Sequence, residues 1–571
     1  MTSAESPARL AWYGCAALLA VFAYFYGLDG QHIPKNGDEF VYEHITRLTG
    51  QSGHLLPLES QLEGMRNTKP PMLVWQGIAS TGGARDWTFW HLRTPSVLYT
   101  LLTAFLVFLL ARKLSGRLET GLVGALCYLA FLSTYRYGRP FLTNPPEAFW
   151  LFLPFFALLY RRPAAFESRL APFALGAAVG IGALYKSFAL VAPVTLGLAW
   201  WYLHHRRYRP GEFLRRDAWK VCAAALVALG VFALWFVFDP DPRAIWNEFV
   251  LYENMGKIGG GRGSYLGTLL WGGSSIWSLA LEYPLNAGLL VFPVALLFFV
   301  AFRRRREMDD AEKLLWIWVL ALFIVFSLPS QRSGRYLLSA MPAIAVLAAL
   351  NWERIGRWAF VASLATAGVL LVLMAWLSLR LQLEMGGAPL YPAGYWILLA
   401  GTGALLAAGV LVPRFTRPAA CAIVFLAFVS LAAFLRPLDG EFGTYPPEVR
   451  RLAEGKSVGV PCKFRADFER YRFIFPDADV QGYRESRNLS LAELNARFPL
   501  FVVQTAITDA TCADCKILGT RLDLRGRLST AETAEMLRGK VFENLFAKES
   551  LIESPGVAVG AAAIPARESC R

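Results

Sequence analysis

Long, uninterrupted blocks of apolar residues constrain the fold of this chain more than any other feature. They run for about 16 to 24 residues, and about 20 residues in a helix are needed to cross a bilayer. With 55% hydrophobic and only 18% charged residues, the chain is too apolar for a soluble enzyme of 571 residues. We therefore predict a polytopic α-helical membrane protein with about thirteen transmembrane helices. The predicted spans are residues 10–28, 94–111, 118–135, 145–160, 171–187, 188–203, 219–238, 285–302, 314–328, 335–350, 357–380, 391–412 and 418–436.

The net charge of +14 follows from membrane topology and does not indicate nucleic-acid binding. If the N-terminus is cytoplasmic, the inner loops are about three times as rich in Lys and Arg as the outer loops, as the positive-inside rule requires. We therefore predict a multi-pass protein of the bacterial inner membrane with a cytoplasmic N-terminus. An odd number of spans places the C-terminal region in the periplasm.

The chain divides into two regions of different composition. Residues 1–436 form the predicted transmembrane domain, whose two long outer loops are residues 29–93 and 239–284. Residues 437–571 alternate strand-like and helical runs, which predicts a small soluble periplasmic α/β domain. The strand-like runs are Ser457–Val460, Leu500–Gln504 and Lys516–Leu522, and the helical runs are Leu489–Phe498 and Thr530–Phe546.

Four of the eight cysteines lie in the C-terminal region, where an oxidising compartment permits disulfides. Two of them, Cys512 and Cys515, have the spacing of a redox motif. No thioredoxin-like strand and helix surround them, so this pair favours a structural disulfide or two free thiols. The other two are Cys462 and Cys570.

Two adjacent carboxylates, Asp38 and Glu39, follow the first span. Apolar side chains then recur at helical spacing over residues 40–48, which predicts a short helix in the membrane interface with Glu43 and Arg47 on its opposite side. Asp38 can cap this helix, since Asp is favoured at that position. Asp38, together with Glu39, can also act as a general base that activates an acceptor hydroxyl. The two interpretations are compatible, because a cap holds a carboxylate in place.

Lys69 is a candidate phosphate ligand. It lies where the first outer loop returns to the membrane, and Pro70 and Pro71 stiffen the backbone after it. A lysine at this place can bind a phosphate as a point charge, or it can extend toward lipid head groups. Position alone leaves both interpretations open.

Further cations lie on the predicted outer face. Arg332, Arg335 and Tyr336 occupy a short outer loop, and two arginines there oppose the positive-inside trend, which anion binding explains. Arg139, shortly before Asn144, raises the same possibility. A base for the acceptor and cations for a phosphate leaving group are what sugar transfer from a lipid phosphate requires.

These motifs resemble those of the bacterial aminoarabinose transferase and related polyprenyl-phosphate-dependent glycosyltransferases, which are relatives of the protein O-mannosyltransferases in the GT-C superfamily. The resemblance rests on Asp38-Glu39 after the first span, Lys69-Pro70 at the end of the first outer loop, and the Arg-Tyr-Leu-Leu run from Arg335. It implies a thirteen-span fold with a periplasmic α/β domain. It also implies inverting transfer of a sugar from undecaprenyl phosphate to a periplasmic acceptor, such as lipid A or another envelope glycan.

The resemblance also assigns expected roles by position. Asp38 matches the family's catalytic carboxylate, and Lys69 and Tyr336 match residues at the donor phosphate. Arg332 stands about where the family has a lysine. The expected partners are therefore the polyprenyl-phosphate sugar donor, the glycan acceptor and membrane lipids.

Two positions depart from the family pattern. The aminoarabinose enzymes have an acidic residue where this chain has Thr68, and Leu-Asp-Pro where it has Thr143-Asn144-Pro145. The resemblance associates these acidic groups with a divalent metal. Their replacement removes two negative charges, so we predict a metal-independent branch that needs no cofactor.

Two other classes of function compete with the transferase. A lipid or polysaccharide flippase needs a polar or charged path through the bilayer, and the predicted spans have almost no charge away from their ends. A non-catalytic family member that acts as a scaffold is compatible with the loss of the two acidic residues. The transferase is the leading interpretation.

Overall fold

The computed structural model describes residues 6–32, 37–256, 265–271, 274–387, 389–487, 489–509, 512, 515–525, 530–556 and 570. Helices make up the membrane region, and a mixed sheet follows it. The helices of the membrane region are Pro7–Phe25, Gly37–Ser52, Met72–Ser80, Phe89–Ser115, Leu118–Ala130, Leu132–Gly138, Asn144–Tyr160, Ala164–Glu167, Ala171–Tyr185, Val191–His205, Pro210–Arg216, Ala218–Phe238, Pro242–Ile245, Tyr265–Leu270, Ile276–Asn286, Val291–Arg303, Asp310–Ser327, Met341–Leu350, Arg357–Glu384, Ala393–Leu411 and Thr416–Asp439, with a π-helix at Trp246–Met255.

Local sequence signals explain where these helices begin and end. The helix Phe89–Ser115 starts after Thr88, whose side chain accepts a hydrogen bond from the backbone N–H of His91. It ends before Gly116, whose φ of 71° lies in the left-handed region that glycine adopts without strain. An apolar stretch of membrane-spanning length separates the two signals.

The number of spans differs from the sequence prediction. Six helices in the described part of the chain are long and apolar enough to cross a membrane, and two bent helix pairs bring the number to eight. Several other predicted spans coincide with shorter helices, such as Ala171–Tyr185 and Val191–His205, of 15 residues each. At about 1.5 Å per residue such helices are shorter than a hydrocarbon core of about 30 Å. The polytopic helical fold is confirmed, and the count of about thirteen is not.

A short helix at the centre of the bundle supports one wall of the site described below. Met341–Leu350 is buried along almost its whole length and is rich in alanine, which lets neighbouring helices approach closely. The 3₁₀-helix Gly334–Ala340 leads directly into it. Residues at the start of the 3₁₀-helix are thereby held against the core.

The C-terminal domain contains a five-stranded sheet in the order β2-β1-β3-β5-β4. β1 pairs in parallel with β2 and β3, and β5 pairs antiparallel with β3 and β4. This mixed sheet agrees with the predicted small α/β domain. The strands are β1 (Ser457–Cys462), β2 (Asp479–Arg484), β3 (Leu500–Ala506), β4 (Lys516–Leu524) and β5 (Phe546–Glu553), and the helices are Pro447–Leu452, Leu491–Arg497, Thr530–Leu537 and Val541–Leu545.

Two strands, β2 and β5, are absent from the sequence prediction. The charged residues of β5 are typical of a surface segment, yet Glu549 is fully buried. The Oε2 atom of Glu549 lies 2.6 Å from Nη2 of Arg521, and its Oε1 atom lies 3.0 Å from Nη2 of Arg470. Paired charges of this kind can be buried, whereas periodicity of apolar residues does not reveal them.

Two disulfides are present in the C-terminal domain. One joins Cys462 on β1 to Cys570 near the end of the chain, and the other joins Cys512 to Cys515. Of the two states that the sequence leaves open for Cys512 and Cys515, the structure shows the disulfide.

His32 connects the first outer loop to the C-terminal domain. Its Nδ1 atom lies 2.7 Å from Oδ1 of Asp439, at the end of the last membrane helix, and its Nε2 atom lies 2.7 Å from Oδ1 of Asp523 on β4. Burial alone lowers the pKa of His32, but the two carboxylates outweigh burial and raise this pKa above its ordinary value of 6.5. A protonated His32 therefore joins three segments of the chain.

The helix Gly37–Ser52, which we call the first-loop helix, differs from its prediction. Its polar side does not face solvent, because Glu43 is fully buried and Arg47 is ion-paired with Glu469 of the C-terminal domain at 2.8 Å. It also extends to Ser52, beyond residues 40–48 over which the sequence predicts it. The C-terminal domain buries the polar face of this helix, which we expected to be exposed. The periodicity of the helix sequence does not reveal such a covering domain.

The His32 bridge predicts a loss of stability at alkaline pH. A raised folded-state pKa means that protonated His32 contributes stability that is fully present below its ordinary pKa and is lost as pH rises through the folded value. We expect the Tm of the purified protein in detergent to fall as the pH rises above about 6.5, and His32→Gln to lower Tm at about pH 6 and flatten this decline. His91→Gln, at an exposed position in the first turn of the helix Phe89–Ser115, is the control. Equal pH slopes for wild type and His32→Gln would contradict the prediction.

Candidate active site

A cavity of about 310 Å³ opens between the first-loop helix and the ends of several membrane helices. Residues distant in sequence line it, from both long outer loops and from the turns between spans. Four of the sequence-predicted site residues are among them. The lining residues are Asp38, Val41, Tyr42, Met65, Thr68, Lys69, Thr143, Lys186, Glu253, Ser333, Arg335 and Tyr336.

Asp38 and Arg335 form the first ion pair of this cavity. The Oδ2 atom of Asp38 lies 2.5 Å from Nη1 of Arg335, and Nη2 of Arg335 donates to the side-chain oxygen of Asn144 at 3.2 Å. The Asp38 side chain remains 48% exposed, so its carboxylate is accessible to a ligand. The guanidinium fixes the orientation of this carboxylate.

Two lysines complete the set of cations. Lys69 Nζ lies 2.5 Å from Oε1 of Glu253, on the π-helix of the second outer loop. Lys186 Nζ lies 2.6 Å from Oε2 of Glu147 and 5.7 Å from the ring centre of Tyr336. Three cations thus line one cavity, each paired with a carboxylate, and two of these carboxylates, Asp38 and Glu253, line it as well.

The local structure explains how these side chains are presented. Asp38 lies in the first turn of the first-loop helix, where the helix dipole favours a carboxylate. Arg335 lies at the start of the 3₁₀-helix, and the hydroxyl of Ser333 caps its backbone N–H. Lys186 directly follows the helix Ala171–Tyr185, and its backbone N–H bonds the oxygen of Ala183.

Four sequence-predicted site residues do not line the cavity, namely Glu39, Arg139, Asn144 and Arg332. Glu39 is fully buried and accepts two hydrogen bonds from Arg93, at 2.7 and 2.9 Å. Arg332 donates to the backbone oxygens of Ser327, Thr268 and Ser274. These groups hold the fold together.

Arg139 also has backbone partners. It is fully buried and donates to the carbonyl oxygens of Tyr24 and Tyr26, at the end of the first span, and to the hydroxyl of Tyr135. Arg139 therefore anchors the end of the first span. Asn144 differs, since it contacts Arg335 at the edge of the cavity.

The sequence interpretation missed Lys186, Glu147 and Glu253 as site residues. Lys186 and Glu147 were visible as charges near the ends of predicted spans, and a charge at a span end usually reaches toward water. Only the tertiary fold shows that these two side chains meet. Glu253 belongs to no sequence motif, and nothing in its surroundings predicts its pairing with Lys69.

Side chains that commonly bind metal ions are few around this cavity. Among the described residues, no group of three or more His, Cys, Asp or Glu side chains is arranged to hold a metal ion. Asn144 stands where the resembled enzymes have an acidic residue, and its oxygen binds the guanidinium of Arg335. A guanidinium at this position repels a metal cation. The charged residues that line the cavity are Asp38, Lys69, Lys186, Glu253 and Arg335.

The fold and the cavity define the class of protein as a multi-pass membrane protein with a charged site at one end of its helical bundle. The crystal structure of ArnT from Cupriavidus metallidurans bound to undecaprenyl phosphate matches it with a TM-score of 0.60 at 16% sequence identity. The match covers 97% of this chain and 99% of that chain, so the two proteins share the GT-C fold over nearly their full lengths.

Sequence comparison finds relatives of the same kind. The Dolichyl-phosphate-mannose-protein mannosyltransferase family matches residues 36–246. An undecaprenyl phosphate-alpha-4-amino-4-deoxy-L-arabinose arabinosyl transferase of Pseudomonas fluorescens (strain Pf0-1) is 28% identical over 58% of this chain and 58% of its own length. The corresponding transferase of Pseudomonas aeruginosa (strain LESB58) is 29% identical over 73% of this chain and 74% of its own length. These matches confirm the resemblance inferred from the motifs: the chain is similar in sequence to the aminoarabinose transferases and shares the GT-C fold.

The contrast between Asp38 and Glu39 gives a testable prediction. Glu39→Gln leaves Arg93 buried beside a neutral side chain, and breaking such a buried pair costs about 3 to 5 kcal/mol of unfolding free energy. Asp38→Asn is the matched control, and we expect it to change the unfolding free energy by less than about 1 kcal/mol because the pair is partly exposed. Unfolding of the two purified variants in detergent measures both values. Equal destabilisation by the two substitutions would contradict the structural role of Glu39.

Proposed function

We propose that this protein is a membrane glycosyltransferase that transfers a sugar from undecaprenyl phosphate to a periplasmic acceptor, lipid A or another envelope glycan. The observation that carries the proposal is the presence of Asp38, Lys69 and Arg335 in one cavity, although they lie far apart in sequence. The named relatives act on an undecaprenyl-phosphate-linked sugar. The cavity supplies the charges that such a reaction needs.

The proposed reaction exchanges one bond at the sugar. An oxygen of the acceptor forms a bond to the anomeric carbon from the side opposite the phosphate, and the bond from that carbon to the phosphate oxygen breaks. Undecaprenyl phosphate leaves with the bonding electron pair and gains one negative charge. Lys69, Lys186 and Arg335 stabilise this charge, as preorganised cations do for transferring and leaving phosphates.

Asp38 has one of two roles in this reaction. If the acceptor is a hydroxyl, Asp38 accepts its proton as the general base. If the acceptor is a phosphate oxygen, no strong base is needed and Asp38 orients the groups around it. Both roles require the carboxylate to remain accessible and fixed, which agrees with its partial exposure and its bond to Arg335.

We place the cavity and the C-terminal domain on the periplasmic side of the bacterial inner membrane, with the N-terminus in the cytoplasm. The density of Lys and Arg in the inner loops supports this orientation. The cavity lies beside the ends of the spans, where the head group of a lipid-linked donor reaches. Residues 437–571 form the periplasmic domain in this arrangement.

We also propose that the transfer needs no metal. Thr68 and Asn144 remove two negative charges relative to the resembled enzymes, and a site that works without a divalent cation lacks two positive charges. The balance of charge around the phosphate is therefore kept. Arg335 and the two lysines, Lys69 and Lys186, then neutralise the phosphate.

A deletion strain tests the proposed function. Mass spectrometry of lipid A and of other envelope glycans is expected to show a sugar modification in the parent that is lost in the deletion strain and restored by the wild-type gene. Asp38→Asn is expected to lower the restored product by about 100-fold if Asp38 is the base, and Lys186→Gln by about tenfold. Lys456→Gln, an exposed lysine outside the cavity, is the control.

Two outcomes would contradict this account. An envelope that is unchanged by the deletion excludes the proposed transfer under the growth conditions used. Full restoration by correctly inserted Asp38→Asn protein excludes a catalytic role for this residue and favours the scaffold interpretation.

The metal-independent mechanism is tested with the purified protein. Product formation in detergent is expected to be unchanged by a chelator, because the described residues offer no set of metal ligands. Activity that disappears with the chelator and returns with added zinc would refute this mechanism. Removal of the chelator by dialysis, with no metal added, controls for inhibition by the chelator itself.

A further inference from the structure

We propose that the C-terminal domain positions Asp38 for reaction, with Phe464 and Glu469 as its positioning residues. The inference rests on the proposed function, because it takes Asp38 as the group that acts on the acceptor. Neither residue lines the cavity. Both act through the first-loop helix, which carries Asp38 in its first turn.

Phe464 contacts the start of the first-loop helix. A Cβ atom added to Gly37 would lie 2.6 Å from Cε2 of Phe464, which is closer than real Cβ atoms approach their neighbours. The ring of Phe464 also stacks on Phe40 with ring centres 6.2 Å apart and an angle of 22° between their planes. The domain therefore packs against the residue that directly precedes Asp38.

Glu469 binds the same helix two turns further along. Its Oε1 atom lies 2.6 Å from Nδ1 of His44, and its two oxygens accept hydrogen bonds from Arg47 at 2.8 and 3.2 Å. The Nε2 atom of His44 accepts from the backbone N–H of Gln61 at 3.0 Å, so Nδ1 carries the proton that His44 donates to Glu469. Three hydrogen bonds thus fix the rotation of the helix.

Glu469 is ionised in this arrangement. Burial alone raises the pKa of Glu469, but the hydrogen bond from His44 and the charge of Arg47 outweigh burial and lower the pKa to about 2. Arg472 of the same domain approaches the second oxygen at 3.3 Å. Glu469 therefore keeps its negative charge at neutral pH, and its ion pair with Arg47 persists there.

The other side of the first-loop helix is held by the membrane region. Glu39 accepts hydrogen bonds from Arg93, at the start of a span, and from the backbone N–H of Phe141. The helix is thus fixed between two bodies, the bundle through Glu39 and the C-terminal domain through Phe464 and Glu469.

The geometry makes Asp38 sensitive to rotation of the first-loop helix. A carboxylate lies about 5 to 6 Å from the axis of its helix, so a rotation of about 20° moves it by about 2 Å. A misplacement of about 1 Å at a reacting group can lower a rate about 100-fold. Loosening the domain contact should therefore lower the rate of transfer and leave binding of the donor phosphate to the two lysines intact.

A double-mutant cycle between Gly37 and Phe464 tests the inference. We expect Gly37→Ala and Phe464→Ala each to lower the product about tenfold, measured as the envelope modification that disappears in the deletion strain. The double variant should fall to about the level of Phe464→Ala alone, because the alanine methyl group then has room. If the two substitutions act independently, the double variant should lower the product about 100-fold, and that result overturns the inference.

Two further measurements separate positioning from a general loss of structure. Undecaprenyl phosphate is the binding probe, and its Kd for Phe464→Ala in detergent is expected to stay within about twofold of the wild-type value. Phe475→Ala is the matched control, since Phe475 is buried in the same domain and stacks on Tyr445, with no ring contact to the first-loop helix. It should lower the Tm without lowering the product per folded protein.

The outcomes also distinguish this inference from the proposed function. If Asp38→Asn abolishes the product and Phe464→Ala leaves it unchanged, the transferase stands and the positioning role is wrong. If the deletion strain lacks no product at all, the proposed function itself fails. An equal loss of product per folded protein in Phe475→Ala and Phe464→Ala would show that the domain acts only through stability, which overturns the inference.

Discussion

The buried ion pair between Glu39 and Arg93 is the interaction on which the rest of the site depends. Arg93, at the start of a span, also donates to the carbonyl oxygens of Leu28 and Gly30. One guanidinium therefore ties the end of the first span, the beginning of the first outer loop and the first-loop helix together. Because adjacent residues on a helix point about 100° apart, burial of Glu39 directs Asp38 toward the cavity. Two neighbouring carboxylates thus have separate tasks, one in the fold and one in the proposed chemistry.

Sequence patterns predicted the parts of this structure that depend on local physics. Apolar blocks give the membrane helices, because a bilayer selects for length and hydropathy. Asp38, Lys69 and Arg335 were found through motifs and unusual placement, and the structure brings them into one cavity. Lys186 and Glu253 escaped prediction because their partners are 39 and 184 residues away in the chain, and only tertiary packing brings them together.

Buried charge explains the remaining differences between sequence and structure. The first-loop helix looks amphipathic in sequence, yet Glu469 covers its polar face. β5 looks like a surface segment, yet Glu549 is buried between two arginines. In both cases a charged side chain is buried beside a partner from a distant element of the chain. Helical or strand periodicity does not encode such a pairing. The contacts of Glu469 with His44 and Arg47 also join the C-terminal domain to the first-loop helix.

The central claim is that one cavity binds the phosphate of a lipid-linked sugar through Lys69, Lys186 and Arg335. A structure of the purified protein with undecaprenyl phosphate, determined by electron cryomicroscopy, tests it most directly. The account predicts phosphate oxygens within about 3.5 Å of at least two of these three cations, beside Asp38 and without a metal ion between them. A phosphate bound outside this cavity, or bound there through a metal, would contradict it.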